Sequence, residues 1–594
     1  MIKAEKLSYS FPTKDLYNKI SFSIEGGKHA VLIGSNGTGK TTLVQILMNP
    51  DAFLFEGKLK TSIGGRIGYV SQYEKAEKDR EISVFDYLAE DFLQLQRQME
   101  DVCAQMETAE DFDALMEEYQ RILDESMAMD ADNHESNIHK ELKIAGLKEL
   151  ENLPVSAISG GEYKLLQVIR QMLKKPAFLV MDEPDAFLDF DNLKGLRDLI
   201  NDYDGTLLAV THNRYLLNHC FDKVLHLENA DIQEFDGNFA EYNFALLAQK
   251  IELQEKAAKQ QEEIERNEKI VERMRSTASK YANATAGRAL HARVSYLERL
   301  EARKIKDPFV ELRNPKIILP VQEAVDYDLE TETEETPENV QNPILSVDGY
   351  SIAFEDTLLE NINFVLNAGE KVAIVGENGT GKTTLLRDIY KNELDTIQIA
   401  ENTVLGFLSQ IHGEMLNEEN SLYEEMEELG FENRAQIAEY LSGYCFEADM
   451  LNEKIEVLSG GEKNLLQLAK IGKSNANLLL LDEPTSHLDI YAQIALEKAI
   501  AEYKGAVLMV SHDFYTIVNC ADYILFVEDK TIRKMRTRSF RKMIYDNHFK
   551  KDYLELEQKK RELEQRIEGC LKKHDYETAK TVCEQLEAVI EKMK

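Results

Sequence analysis

Gly34-Ser35-Asn36-Gly37-Thr38-Gly39-Lys40-Thr41, with Thr42 behind it, returns later as Gly376-Glu377-Asn378-Gly379-Thr380-Gly381-Lys382-Thr383, with Thr384 behind it. Each copy satisfies G-x-x-x-x-G-K-[ST]. Each follows an apolar run, Ala30-Val31-Leu32-Ile33 or Val372-Ala373-Ile374-Val375, and precedes a helical pattern, the strand–loop–helix setting of a phosphate-binding loop. The glycines let backbone N–H groups close around nucleotide phosphates, the lysine reaches the terminal ones, and the Thr41 or Thr383 hydroxyl is placed for Mg²⁺. Two such loops mean two nucleotide sites.

The chain around them has 594 residues, enough for two to four domains with their own cores. Its 43% hydrophobic and 30% charged residues suit a soluble folded protein. The longest apolar stretches, such as Leu478-Leu479-Leu480-Leu481, are strand-sized, so no membrane span is expected. Met1-Ile2-Lys3-Ala4-Glu5-Lys6 opens into a strand pattern without a signal-peptide core. Six scattered cysteines without a CxxC pair point to thiols in a reducing cytoplasm. His134-Glu135-Ser136-Asn137-Ile138-His139 resembles a zinc HExxH, but its histidines are five apart and would not share a helix face.

The halves repeat beyond the loops. Val70-Ser71-Gln72 matches Leu408-Ser409-Gln410; Ser159-Gly160-Gly161-Glu162 matches Ser459-Gly460-Gly461-Glu462. Phe178-Leu179-Val180-Met181-Asp182-Glu183-Pro184 matches Leu478-Leu479-Leu480-Leu481-Asp482-Glu483-Pro484, and Val210-Thr211-His212 matches Val510-Ser511-His512. From Ser159 to His212 the shift is constant, whereas between Gln72 and Ser159 the first half is about 38 residues longer. The excess falls at 91–129, where apolar residues recur at three- and four-residue steps. It reads as an antiparallel helical pair turning near Thr108-Ala109-Glu110-Asp111, either a decorative subdomain or a docking arm.

Between the halves, 244–303 reads as a charged helical hairpin. Its first limb, 242–274, would reach about 50 Å if continuous. Small and polar residues interrupt the pattern at Ser276-Thr277-Ala278-Ser279 and at Asn283-Ala284-Thr285-Ala286-Gly287. From Arg273 to Arg293 the charges are Arg273, Arg275, Lys280, Arg288 and Arg293 without an acid, although the whole chain carries −37. A basic tip in an acidic protein suggests phosphate contact; a solvated helix end is the plainer alternative. An acidic tether with Glu323, Asp326, Asp328 and Glu330 follows and is expected to be a flexible linker. Another basic run includes Lys530, Arg533, Lys534 and Arg536, and two helices turning at Lys573-His574-Asp575 are expected at the end. Packing or self-association suits that last hairpin better than nucleic-acid contact.

This set of motifs, in this order and twice over, resembles the ATP-binding cassette superfamily, and its ABC-F class in particular. Arg273-Met274-Arg275-Ser276-Thr277-Ala278-Ser279-Lys280 through Arg288 to Leu297-Glu298-Arg299-Leu300-Glu301 is similar to that class's linker. The resemblance implies an α/β fold: two cassettes, each a phosphate-loop NTPase core with a helical subdomain, joined by a helical hairpin and followed by a second one. The expected boundaries are 1–243 (arm at 91–129), 244–306 for the linker, 307–342 for the tether, 343–545 and 546–594.

The resemblance also implies head-to-tail closure over two ATP molecules. One site would use Lys40, Thr41, Gln72, Asp182, Glu183 and His212, capped by Ser459, Gly460 and Gly461. The other would use Lys382, Thr383, Gln410, Asp482, Glu483 and His512, capped by Ser159, Gly160 and Gly161. Thr41, Gln72, Asp182, Thr383, Gln410 and Asp482 would hold Mg²⁺. Glu183 and Glu483 would polarise the attacking water, and His212 and His512 would steady the γ-phosphate. Tyr9 or Phe11, and Tyr350 or Phe354, are placed to stack on adenine or to serve the core. Phe187 stands where the family commonly has histidine and the second half has His487, so unequal hydrolysis at the two sites is expected. Neither Tyr163-Lys164-Leu165 nor Lys463-Asn464-Leu465 continues as the class's usual arginine-rich element.

For function, the class implies a monomeric cytoplasmic ATPase that binds the ribosome near the tRNA exit site. Its linker would meet rRNA and tRNA toward the peptidyl-transfer centre, and the role would be general translation support, rescue of stalled ribosomes or protection against antibiotics. A cytoplasmic ATPase subunit of a membrane transporter and a DNA-associated ATPase are the competing readings.

Overall fold

The computed structural model describes residues 1–11, 14–61, 66–71, 78–106, 112–186, 188–280, 284–302, 315–320, 343–353, 357–548 and 553–593. The chain divides into two compact units, Met1–Asp236 with Arg313–Ile544, and Gly237–Leu312 with Tyr545–Lys594.

In the first unit, the runs Phe178–Asp182 and Thr206–Val210 are buried along their whole length. Continuous apolar strands of this kind belong to parallel sheets covered on both faces. They sit inside a six-stranded sheet ordered Ile67–Val70, Phe178–Asp182, Thr206–Val210, His29–Ile33, Lys223–Glu228, Asp231–Asp236. Only the last of these strands pairs antiparallel. The second half repeats the order with Leu405–Leu408, Leu478–Asp482, Ala506–Val510, Lys371–Val375, Tyr523–Glu528 and Thr531–Arg536. A three-stranded antiparallel sheet accompanies each. Because the five parallel strands end on one edge, the residues that follow them converge there. The register Leu32↔Val210 and Asp182↔Val210 sets the phosphate loop, the Asp182-Glu183 pair and Thr211-His212 side by side.

The basic run of the second half lies on the edge strand Thr531–Arg536 and the helix Thr537–His548. Lys534 Nζ sits 3.5 Å from the centre of the Tyr523 ring. Charges on an edge strand discourage pairing with another chain, which accounts for part of this run without a nucleic acid.

The first-half insertion forms two helices, Val84–Met106 and Phe112–Ala128, in contact with each other. The expected turn at 108–111 lies outside the described residues. Within the expected tether, 321–342 also lies outside them, but 315–320 is pinned to the second cassette. Lys316 N–H donates to Gly443 O at 2.6 Å, Tyr444 Oη donates to Ile318 O at 2.9 Å, and Ile317 and Leu319 are buried. The described part of the expected tether, 315–320, is thus an apolar anchor on the second cassette rather than a free linker. Of the two near-miss histidines, His134 stacks on Phe92 and His139 tilts against Phe85.

In the second unit, the helix Phe239–Lys280 runs for 42 residues, about 63 Å at the usual rise, and Ala284–Ala302 forms the second limb. The interruption expected at Ser276 does not occur. Ser276 Oγ donates to Arg273 O at 3.1 Å, a back-bond onto the preceding turn that a helix tolerates. The remaining helices are Tyr553–Lys572 and Tyr576–Met593. Their apolar faces pack with the first linker helix around Ile251, Ile567, Val582 and Leu586, and Lys580 pairs with Glu255. The C-terminal hairpin thus has an intramolecular packing partner.

Candidate functional site

The two glutamates after the acid strands share an unusual backbone. Glu183 and Glu483 both have φ 46°, the left-handed region that costs a non-glycine residue energy and recurs at functional sites. Their N–H groups donate to Val210 O (2.8 Å) and Val510 O (2.9 Å), which ties each glutamate to the strand that carries the histidine. Thr383 Oγ1 donates to Asp482 Oδ1 at 3.0 Å, while Asp482 Oδ2 is buried without a hydrogen-bond partner. A hydroxyl and a free buried carboxylate oxygen form a donor set that suits Mg²⁺; Asp182 and Thr41 are hydrogen-bonded in the first half as well. Gln410 lines the same cavity as Thr383, whereas Gln72 lies outside the described residues.

Both phosphate loops face the opposite half. Asn36 N–H donates to Asp489 Oδ2 at 3.1 Å and Asn36 Nδ2 to the His487 carbonyl at 2.9 Å. In the related position the Asn378 N–H is bonded to Asp189. Gly461 explains one of the repeated glycine pairs physically: a Cβ there would lie 2.0 Å from Asn36 Nδ2 and 2.3 Å from His487 O, so only glycine admits this approach. Ser159 and Ser459 start helices Gly160–Leu173 and Gly460–Lys473 and close capping boxes with Glu162 and Glu462, which leaves those glutamates a structural duty. Such helix starts point N–H groups outward, as an anion site needs.

A cavity of about 590 Å³ runs between the halves. It is lined by the loop from Asn378 to Thr384, by Gln410, Glu483 and His512, and by Gly160 and Gly161 from the other half, and it reaches Glu183 and His212. Lys382 Nζ donates to the carbonyls of Gly376 (2.8 Å) and Glu377 (2.5 Å), and Lys40 Nζ to those of Gly34 and Ser35 (both 3.0 Å). Burial pushes both ammonium groups down, opposed by the carboxylates facing them. The histidines behave alike, since burial and then the neighbouring lysine lower His212 and His512 to about 3. The glutamates diverge. Burial and then the Asp482 charge raise Glu483 to about 8; at Glu183 burial is outweighed by His487 and the surrounding cations, so the carboxyl sits below its ordinary value.

Several contributors escape motif reading. Tyr17 Oη donates to Gly39 O at 2.5 Å and braces the first loop. Arg214, just after His212, crosses to Asp513 Oδ2 (2.8 Å) and to Glu497, and its guanidinium lies 4.7 Å from the Tyr515 ring centre. The sequence marks the two positions as different between the halves, since under the constant shift Arg214 aligns with Phe514 and Glu497 with Arg197, but it does not mark them as partners. Of the candidate adenine platforms, Tyr350 is 1% exposed and donates to Asp388 at 2.7 Å, so it serves the core; Phe354 is outside the described residues. Tyr9 packs among Phe11, Tyr17 and Phe53, and Phe11 is exposed. Among the basic linker residues Arg273, Arg275 and Arg288 are exposed, Arg293 lies over Tyr296 at 5.2 Å, and the Lys280 side chain is outside the described set.

Two phosphate loops, each facing the other half's glycine turn, define a twin-cassette nucleotide-binding protein. The ABC transporter family pattern matches residues 17–186 and 359–486, and a second pattern of the same description matches 225–314. The chain belongs to the ABC transporter family, and its organisation and relatives are those of the F class. It is 28% identical over 556 residues to the probable ATP-binding protein YheS of Haemophilus influenzae, covering 90% of this chain and 80% of the relative. It is 29% identical over 551 residues to ABC transporter F family member 2 of Arabidopsis thaliana, covering 89% and 76%. In fold it is similar to a solved RNase-L inhibitor (TM-score 0.54, 16% identity, 91% and 93% covered). It is likewise similar to the archaeal ribosome recycling factor aABCE1 in complex with the stalk protein aP1 (TM-score 0.53, 17% identity, 91% and 92% covered). No helix among the described residues is long and apolar enough to cross a membrane.

Proposed function

We propose that the chain hydrolyses ATP at both cassettes and works as a translation factor that binds the ribosome in the ATP-closed state near the tRNA exit site. The observation that carries the ATPase reading is the convergence of Lys382, Thr383, Gln410, Glu483 and His512 with Gly160-Gly161 around one cavity. There Glu483 would take a proton from the attacking water, His512 would steady the γ-phosphate, and the glycine turn would donate N–H groups to it. Mg²⁺ held by Thr383, Asp482 and Gln410 would offset charge on the β- and γ-phosphate oxygens. The first site would use Lys40, Thr41, Asp182, Glu183 and His212 in the same roles, with Gln72 as the remaining metal ligand.

The ribosome reading draws on the F-class relatives, on the likeness in fold to the archaeal ribosome recycling factor aABCE1, and on the exposed Arg273, Arg275 and Arg288 of the linker. ATP and RNA would both favour the closed form, each raising the affinity for the other. Co-sedimentation tests it. The Glu183→Gln/Glu483→Gln protein with ATP should pellet with ribosomes and the ADP-bound protein should not; equal pelleting in the two states refutes the reading. Replacing Arg273, Arg275 and Arg288 with Gln should weaken binding and lower the slope of log affinity against log salt by about 2–3. An unchanged slope removes the linker from the RNA contact.

A further inference from the structure

We propose that His487 is a positioning residue acting across the cassette interface on Glu183, so that the second cassette orients the candidate base of the first without a reciprocal arrangement. The proposal rests on the reading of both cassettes as ATPases. His487 Nδ1 lies 3.6 Å from Glu183 Oε2, and both side chains are largely shielded, at 16% and 26% exposure. The imidazole is fixed from several directions. Its backbone is left-handed, with φ 60°, and its carbonyl accepts the Asn36 side chain at 2.9 Å. Two residues on, Asp489 accepts the Asn36 N–H at 3.1 Å. A Cβ on Gly460 would lie 3.2 Å from the ring, so the signature turn walls the imidazole on that side. A strained backbone held at both ends is what fixes a side chain in one place.

Glu483 is held differently. Its Oε2 accepts the His512 N–H at 3.2 Å, and His512 Nε2 lies 3.6 Å from its Oε1; both contacts come from its own cassette. The residue related to His487 by the constant shift is Phe187, and a phenyl ring has no N–H to offer a carboxylate. His212, the counterpart of His512, has both ring nitrogens buried without a hydrogen-bond partner. Glu183 is thus addressed from the opposite cassette and Glu483 from its own. Hydrolysis at the Lys40 site then requires the second cassette's turn to be seated, which makes the first site report on closure.

Turnover in two single-site backgrounds of the full-length protein tests this. In Glu483→Gln, where the Glu183 site supplies the turnover, His487→Ala should lower kcat about tenfold or more, because small misplacements of a reacting group are costly. KM for ATP should change by less than about threefold, since the residue orients a base rather than holding nucleotide. In Glu183→Gln the same substitution should cost less than about twofold. His487→Gln, which keeps an N–H donor, should recover part of the loss. Equal losses in both backgrounds, or a loss confined to KM, would mean a general interface role and overturn the proposal. If either single substitution abolishes turnover altogether, the sites fire as one and the one-sided assignment fails. Absence of turnover in the unsubstituted protein would overturn the ATPase reading itself, whereas turnover indifferent to His487→Ala overturns only this one.

Discussion

Arg214→Met isolates the charged contact between the cassettes. The arginine side chain is 10% exposed, Glu497 10% and Asp513 19%. Burial alone would lower the guanidinium, but the carboxylates of Asp513 and Glu497 raise it above its ordinary value, so it is charged at any working pH. Removing one partner of a buried pair costs about 3–5 kcal/mol. The lower end applies here because the carboxylates keep other donors: Asn519 Nδ2 donates to Glu497 at 2.6 Å, the Tyr515 N–H donates to Asp513 Oδ1 at 3.0 Å, and the single Thr516 hydroxyl lies within reach of either carboxylate, at 3.0 and 2.8 Å. Arg214 Nε is also buried without a hydrogen-bond partner, so the contact is less than fully satisfied. A loss of about 3 kcal/mol falls on the closed arrangement alone and moves its equilibrium by roughly a hundredfold. With two ATP molecules stabilising closure, fluorophores on the two cassettes would read this as a rise of about tenfold in the ATP concentration for half closure. Arg214→Met/Glu497→Gln should recover about 1–2 kcal/mol, because the stranded charge is gone. A shift under about threefold in the single variant, or none recovered in the double, refutes the assignment of closure energy to this contact.

Other perturbations have defined outcomes. Leu480→Ala removes a fully buried side chain from the strand beneath the second site and should destabilise that cassette by about 2–5 kcal/mol, read as a lower urea midpoint. Cys103 is exposed, while burial pushes the Cys220 and Cys520 thiols up. Iodoacetamide at pH 8 should therefore label Cys103 rapidly and the other two only on unfolding. Because those two thiols hold their protons longer folded than unfolded, the stability they contribute is full below the ordinary thiol value of about 8.5 and falls as pH rises above it. Denaturation midpoints of wild type and Cys220→Ala between pH 8 and 10 check the sign.

The phosphate loops, the acid strands and the glycine turns were readable because each chemistry demands particular residue types at fixed spacing. The ends of the last helices were readable too, since Lys573-His574-Asp575 interrupts an apolar period. What pairs across the interface was not. Arg214 and Glu497 are 283 residues apart, and nothing local to either announces the other. The continuation of the linker helix through Ser276 illustrates the opposite error: small polar residues are weak helix formers, yet a back-bond and a long preceding helix carry them. Tyr350 shows that an aromatic near the phosphate loop is as readily a core residue, a distinction that only burial makes.

The helix Phe239–Lys280 has one more consequence, for the chain as it is made. Its apolar face at Ile251 is covered by Ile567, Val582 and Leu586, and the Glu255–Lys580 pair spans 325 residues. At ordinary synthesis rates of about 5–20 residues per second, that face waits roughly 16–65 s for its partner. The nascent chain therefore holds a long, half-finished helix while the whole second cassette is translated. Here a surface exposed since the linker helix was made is sealed by residues translated 325 positions later, and removal of the helices Tyr553–Lys572 and Tyr576–Met593 should surface as aggregation during expression rather than as lost catalysis.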